Sequence, residues 1–448
     1  MFELSHHLRT SKAKFIIAEP ELLTTIKAAA NECKIAAANI RIFNVHSQTV
    51  PRGYQSWTEL LSHGEDDWVR FESQEISSTT AAARLFSSGT TGLPKAAVVS
   101  HYNLVSQHTL AVEPQPPLYD PSRLLYMPMF HASVVPLGHT STLKSGTRSY
   151  ILRRFDLEEF LSSIHRYKIT ELALFPPIVL MVLASPLTKK YDLTSVMSAK
   201  GGAAALSKEL QLEFEKLMSK DGAFNQVWGM TETSCVASCF WYPESDTTGS
   251  IGRFVANMDV KIVDENDNDI TALGAKGELL IRGPTVISQY FENPAANAAS
   301  FDPDGYFRTG DIVICEGGPG VTQATAKWYI VDRIKELIKV RAFQVSPSEI
   351  EAVILQHPAI IDAAVIGIPA VDPRDGESPR AYVVCQGEVT EDEVKQWCAQ
   401  RLAKYKSLTG GVRFVDALPK NASGKLLKRI LREQVQQESR GGSSKAHL

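Results

Sequence analysis

The chain has 448 residues, 44% of them hydrophobic and 22% charged, with a formal net charge of −3. That length exceeds one small core and predicts two or three domains. The balanced, scattered charge argues against a nucleic-acid partner. The six cysteines, Cys33, Cys235, Cys239, Cys315, Cys385 and Cys398, form no CxxC pair, so neither a zinc site nor a disulfide framework is indicated. A reducing intracellular compartment is the expectation. No basic segment followed by an apolar run opens the chain, so no signal peptide is visible.

In chain order, the first element with chemical content is Phe86-Ser87-Ser88-Gly89-Thr90-Thr91-Gly92-Leu93-Pro94-Lys95. Its small and hydroxylated residues suit a loop whose backbone N–H groups, hydroxyls and one Lys surround phosphate oxygens. The glycine spacing, and Ala96 after the Lys, exclude a Walker A loop. Phe155–Tyr167 predicts a helix, with Asp156 three residues before Glu159 as in a capping box. Leu172–Phe175 predicts a buried strand, followed by a helix that opens at Pro176-Pro177, where missing N–H groups cost little. This apolar stretch is too short to span a bilayer. Ser207–Lys220 predicts a helix; Val260–Val263 and Glu278–Ile281 predict strands, with a polar turn after the first.

Near residue 332 the texture changes. Strand Tyr329–Val331 is followed by the charged segment Asp332-Arg333-Ile334-Lys335-Glu336. Ser346-Pro347-Ser348-Glu349 opens a helix, Ala363–Ile368 and Ala381–Cys385 predict strands, and Thr390 with Glu393 caps another helix. The alternation of strands and helices predicts an α/β fold. A large domain, 1–331, of mostly parallel sheets layered with helices would be followed by a hinge, 332–335, and a small mobile α+β domain, 336–438. The Gly-, Ser- and Lys-rich residues 439–448 predict a disordered tail.

Seven motifs occur in order: the phosphate loop, Tyr126-Met127-Pro128-Met129-Phe130-His131, Gly201-Gly202-Ala203-Ala204, Trp228-Gly229-Met230-Thr231-Glu232, Tyr306-Phe307-Arg308-Thr309-Gly310-Asp311, the run Asp332–Lys339, and Pro419-Lys420-Asn421-Ala422-Ser423-Gly424-Lys425. Together they resemble the adenylate-forming superfamily of acyl-CoA synthetases, luciferases and peptide-synthetase adenylation domains, most closely the 4-coumarate–CoA ligase branch and its fungal relatives. The resemblance covers nearly the whole chain. It implies attack of a carboxylate on ATP to give an acyl-adenylate and pyrophosphate, then displacement of AMP by the thiol of CoA. Transfer to a carrier-protein thiol, or a shortened non-catalytic paralogue, are the alternatives.

The resemblance also implies roles. Ser87, Ser88, Gly89, Thr90, Thr91 and Lys95 would hold the terminal phosphates. Thr231 would touch the α-phosphate and Glu232 would ligate Mg²⁺. Trp228 would stack on adenine, unless it is simply a core aromatic. Asp311 would accept from both ribose hydroxyls. Gln226, Arg333, Lys335 and Gln344 would complete nucleotide binding. Lys425 would bridge substrate carboxylate and α-phosphate, and His131 would gate the site. Arg154, Lys339, Arg341 and Ala342 would line the CoA path. Ser133, Leu137, Ala203, Val227 and Cys239 would line the acyl pocket. Lys425 would serve one arrangement of the small domain; Lys339, Arg341 and Gln344 would serve the other.

Three departures from the family qualify this. The chain begins late, short of the family's usual start by about a hundred residues, which would leave apolar sheet surface uncovered. Ala342 replaces a Gly beside the CoA channel, where a Cβ could obstruct the pantetheine arm. Val227 replaces a Gly and Ser133 an aromatic in the acyl pocket, so a 4-coumarate specificity does not carry over. Finally, Ala446-His447-Leu448 has the small–basic–Leu form of a peroxisomal tripeptide, and predicts an import receptor as partner and the peroxisome as address, otherwise the cytoplasm.

Overall fold

The computed structural model describes the chain except for residues 1, 46–47, 88–93, 203–205, 318–321, 323, 334–335, 341–342, 373–375, 421–425 and 443–448, together with the side chains of 2–3, 332, 343–344 and 439–442. The described residues fall into two compact units. One comprises Met1–Val105 and Ile287–Ala299, the other Ser106–Val286 and Ser300–Leu448.

In the first unit, three short parallel strands, Ile16–Ala18, Ile40–Ile42 and Gln55–Ser56, pack with helix Leu23–Glu32 around Ile16, Leu23, Ile26, Ile40 and Ile42. An antiparallel pair, Ala81–Ser87 and Lys95–Ser100, closes in register with Ser87 opposite Lys95. The 88–93 stretch of the expected phosphate loop joins these two strands.

The second unit is built on a five-stranded sheet whose neighbours all run parallel. Its spatial order is Ala223–Gln226, Ser198–Gly201, Glu171–Leu174, Ser122–Leu125, Arg148–Ile151. Such strands need crossover connections, and the sequence supplies helices for them. Helix Leu157–Tyr167 starts where Asp156 accepts a hydrogen bond from Glu159 N–H, and it buries Phe160, Leu161 and Ile164. Helix Pro176–Ala184 starts at the two prolines and buries Ile178, Val179 and Val182. Both faces feed one apolar core with Leu172, Leu174, Phe214 and Phe224. The helix expected over Ser207–Lys220 is shorter, Lys208–Glu215, because the chain turns at Leu217 and Met218 to bring Ser219 N–H onto Val196 O.

An antiparallel sheet of four strands follows, Asp259–Val263, Lys276–Arg282, Phe307–Glu316 and Lys327–Arg333. After it, strands Ile360–Pro369 and Glu377–Cys385 pair antiparallel, Val412–Phe414 adds parallel, and helices Pro347–Ile354 and Glu391–Ala399 cover them. Both helices carry the expected caps, Ser346 and Thr390. The last helix runs Lys428–Gly442, so residues 439–442 are helical where a disordered tail was expected; the Arg- and Gln-rich sequence ahead of them is a good helix former. The Ala446-His447-Leu448 motif lies outside the described residues.

Candidate active site

The strands that carry the motifs end in short turns that hold chemistry. In Trp228-Gly229-Met230-Thr231-Glu232, strand Trp228–Met230 passes directly into a tight turn, Thr231–Thr233. A Cβ on Gly229 would lie 1.7 Å from Cys235 O, so only Gly allows the neighbouring strand to approach this closely. Thr233 Oγ1 accepts from Met230 N–H and donates to Cys235 O. Gln107 braces the same turn, its amide donating to Thr233 O at 2.8 Å and Val236 O at 2.7 Å. These fixings bury Glu232 to 4% exposure. Gln107 was not among the expected site residues; a buried Gln on a helix has no local signature, because its partners are 126 and 129 residues away.

Asp311 is brought to Trp228 by strand Phe307–Glu316. The Trp228 indole N–H donates to Asp311 Oδ2 at 2.9 Å, and Arg333 Nε lies 2.9 Å from Oδ1. Asp311 is 1% exposed and Trp228 8%. The Asp311 carboxylate raises the Arg333 guanidinium above its ordinary pKa against the cost of burial, and Glu336 and Glu232 add to it. The structure thus gathers Trp228, Glu232, Asp311 and Arg333 into one electrostatic group from three sequence motifs.

Two of the expected acyl-pocket residues, Val227 and Ser133, make described contacts. Val227 stands against Gly202: a Cβ there would meet Val227 Cγ2 at 3.2 Å. Ser133 has a second task, since its N–H donates to His131 Nδ1 at 3.2 Å and its hydroxyl lies 2.7 Å from the same nitrogen. With Nδ1 accepting from the backbone, the neutral ring carries its proton on Nε2. Ser133 O accepts from the Cys235 thiol at 3.7 Å. Leu137 sits in a π-helical turn, Val135–Ser141. Burial pushes the Cys235 thiol up to about 12 and raises Cys239 as well. Buried and raised in this way, both thiols are poor nucleophiles. Lys200, whose charge is felt by both thiols, was not among the expected residues.

Gln226 is placed differently from the other candidates. Its amide closes on the backbone of Leu206, accepting from N–H at 3.3 Å and donating to O at 3.2 Å, so it supports the chain after Gly202. Arg154 is exposed just before helix Leu157–Tyr167, and Lys339 is exposed on strand Ile338–Val340. In the first unit, Ser87 is buried, Lys95 Nζ lies 4.3 Å from the Tyr290 ring centre, and Pro94 O is 2.8 Å from His6 Nε2. Ser88, Gly89, Thr90, Thr91, Ala203, Lys335, Arg341, Ala342 and Lys425, and the side chain of Gln344, lie outside the described residues.

Among the described residues no helix is long and apolar enough to cross a membrane. The AMP-binding enzyme family matches residues 2–291, and the AMP-binding enzyme C-terminal domain matches 349–425. The acyl-CoA ligase azaF of Aspergillus niger is 48% identical over 96% of this chain and 80% of its own length. The phenylacetyl-CoA ligase epaB of Aspergillus niger is 47% identical over the same shares. The crystal structure of ATP-bound MatB from Rhodopseudomonas palustris superposes with a TM-score of 0.81 at 25% identity, over 97% of this chain and 81% of that one. The chain therefore belongs to the AMP-binding enzyme family, and its activity is that of an acid–thiol ligase: ATP-dependent activation of a carboxylic acid to an acyl-adenylate, then transfer of the acyl group to CoA.

Proposed function

We propose that the acid is a compact aryl- or arylalkyl-carboxylic acid of about phenylacetate size. The supporting observation is the Val227 side chain against Gly202, which shortens the pocket floor relative to a Gly at that position. The buried Cys235 and Cys239 walls favour an apolar ring. The name of the 47% identical phenylacetyl-CoA ligase accords with this class.

In the first step a substrate carboxylate oxygen attacks the α-phosphorus of ATP; a P–O bond forms and the bond to pyrophosphate breaks. Two anions must meet, so the site has to neutralise charge. Asp311 accepts from the ribose and Arg333 balances it. Thr231 donates to the α-phosphate, and Lys425 spans carboxylate and phosphate as a mobile point charge. Glu232 is a single buried carboxylate, and no group of three His, Cys, Asp or Glu could hold a metal among the described residues. That donor set fits Mg²⁺, which binds through one or two carboxylates plus substrate phosphates. Bound there, Mg²⁺ supplies neutralising charge to the phosphate oxygens. In the second step the thiol sulfur of CoA attacks the acyl carbon, its proton is lost, and AMP leaves.

Pyrophosphate exchange over a panel of acids tests the reading. Phenylacetate-sized acids should support the fastest exchange and hydroxycinnamates a slower one. Fastest exchange with long aliphatic acids would refute the assigned class.

A further inference from the structure

We propose that Trp228 is a positioning residue for nucleotide selection. Its indole N–H holds the Asp311 carboxylate in the one orientation from which it accepts from both ribose hydroxyls. The inference rests on the reading of Asp311 as the ribose acceptor, and gives Trp228 a task beyond offering a face to the adenine.

A carboxylate on one rotatable bond swings unless something fixes it. Here the two oxygens are treated unequally. Oδ2 is held from within by Trp228, 8% exposed, through a 2.9 Å hydrogen bond. Oδ1 faces Arg333, whose side chain is 32% exposed and stands on the last residue of strand Lys327–Arg333. The outer partner reaches the surface, whereas the inner one is nearly enclosed. Trp228 is fixed by its own surroundings. Its ring meets Phe254 edge-on at 6.0 Å, and Phe254 meets Trp328 edge-on at 5.0 Å. Gly229 lets the adjoining strand close against the next residue. The Asp311 backbone is fixed too, its N–H donating to Thr309 Oγ1, which itself donates to Leu279 O.

An indole N–H only donates, so this bond has one sense. Each carboxylate oxygen keeps a second lone pair for a hydroxyl. When the carboxylate is held, a nucleotide lacking the 2′-hydroxyl leaves that second lone pair unfilled in a buried place, which is costly. When it is free to turn, that acceptor finds another donor and the cost falls. Trp228 thereby converts an acceptor into a selector of ribonucleotides.

The test compares kcat/KM for ATP and 2′-deoxy-ATP in three variants of the full chain. Trp228 is replaced by its benzothienyl isostere, which keeps size and aromatic face but has no N–H; Trp228→Phe is the second variant and Asp311→Ala the control. Each is first shown to melt cooperatively. The preference for ATP should fall about tenfold in the isostere, and by at least as much in Asp311→Ala. Equal weakening of both nucleotides in the Trp228 variants, with their ratio unchanged, would mean a stacking role alone and overturn the inference. An unchanged ratio in Asp311→Ala would instead overturn the ribose role on which it rests.

Discussion

At the scale of single residues, the proposed acid class turns on Val227. Its Cγ2 occupies the space that a Cβ on Gly202 would need, 3.2 Å away. Removing two methyl groups by Val227→Ala, or the whole isopropyl group by Val227→Gly, should deepen the pocket. One methylene-sized change in an apolar pocket shifts selection by about tenfold. Val227→Ala should therefore raise the kcat/KM ratio of a hydroxycinnamate over phenylacetate by about that factor. An unchanged ratio, measured with both acids in one assay, would remove Val227 from the pocket. The sequence made such single positions legible, because a motif fixes which residue stands where. It did not make their partners legible. Trp228 and Asp311 are 83 residues apart, and nothing local to either announces the bond between them. Ser133 was read as pocket lining, yet its N–H and hydroxyl both reach His131 Nδ1.

At the scale of elements, caps and apolar spacing were enough to find helices and strands, since those signals are local. The Asp156 cap, strand Lys276–Arg282 around the expected Glu278–Ile281, and the Pro176 start all follow from neighbours in sequence. Asp156→Ala should cost about 1 kcal/mol in a denaturant titration. Contacts between elements are not local, and one nearly enclosed ionic group was not anticipated. Lys428, at the start of the last helix and 8% exposed, lies 2.9 Å from Glu336 and 2.8 Å from Glu351. It joins the segment after the expected hinge to helix Pro347–Ile354 and to the helix that begins three residues after Lys425. Burial alone would raise the Glu336 pKa, but Lys428, with Arg333 and Arg432, outweighs it and holds the carboxyl below its ordinary range. Burial would lower the Lys428 pKa, and Glu351 and Glu336 raise it above its ordinary value. The depressed carboxylate contributes stability that is complete above its unfolded pKa, about 4.3, and is lost as pH falls through the folded value. The raised ammonium contributes stability that is complete below about 10.4 and is lost as pH rises through its folded value. The group therefore stabilises fully between those limits. Lys428→Met should cost about 1–3 kcal/mol at pH 7 by leaving two partly buried carboxylates without their shared cation. It should regain part of that loss as the pH approaches 4 and the Glu336 carboxyl, no longer held down by Lys428, takes up a proton. A melting-temperature deficit that stays constant from pH 4 to pH 8 would contradict the coupling.

At the scale of the whole molecule, the two half-reactions draw on different positions in the C-terminal part of the chain. Adenylation needs a cation between two anions, the work proposed for Lys425. Thioester formation needs a channel for the pantetheine arm, the place expected for Ala342 from the family resemblance. The two demands are chemically separate, so they can be separated experimentally. Lys425→Ala should lower acid-dependent pyrophosphate exchange by at least a hundredfold, the order of a lost charge-stabilising group. It should leave ATP binding within a few-fold, because the other nucleotide contacts remain. Ala342→Gly addresses the other half. If the Cβ narrows the channel, its removal should raise CoA-dependent turnover severalfold and leave pyrophosphate exchange unchanged. If the residue instead adopts a left-handed conformation, Gly relieves strain on the order of 1 kcal/mol, and the melting temperature rises with it. Measuring exchange, thioester formation and melting on the same two variants separates these cases. A gain in thioester formation without a gain in stability identifies the channel. A gain in stability alone identifies the backbone. No change in any of the three would make Ala342 neutral and leave Lys425 as the only one of the two positions that governs turnover.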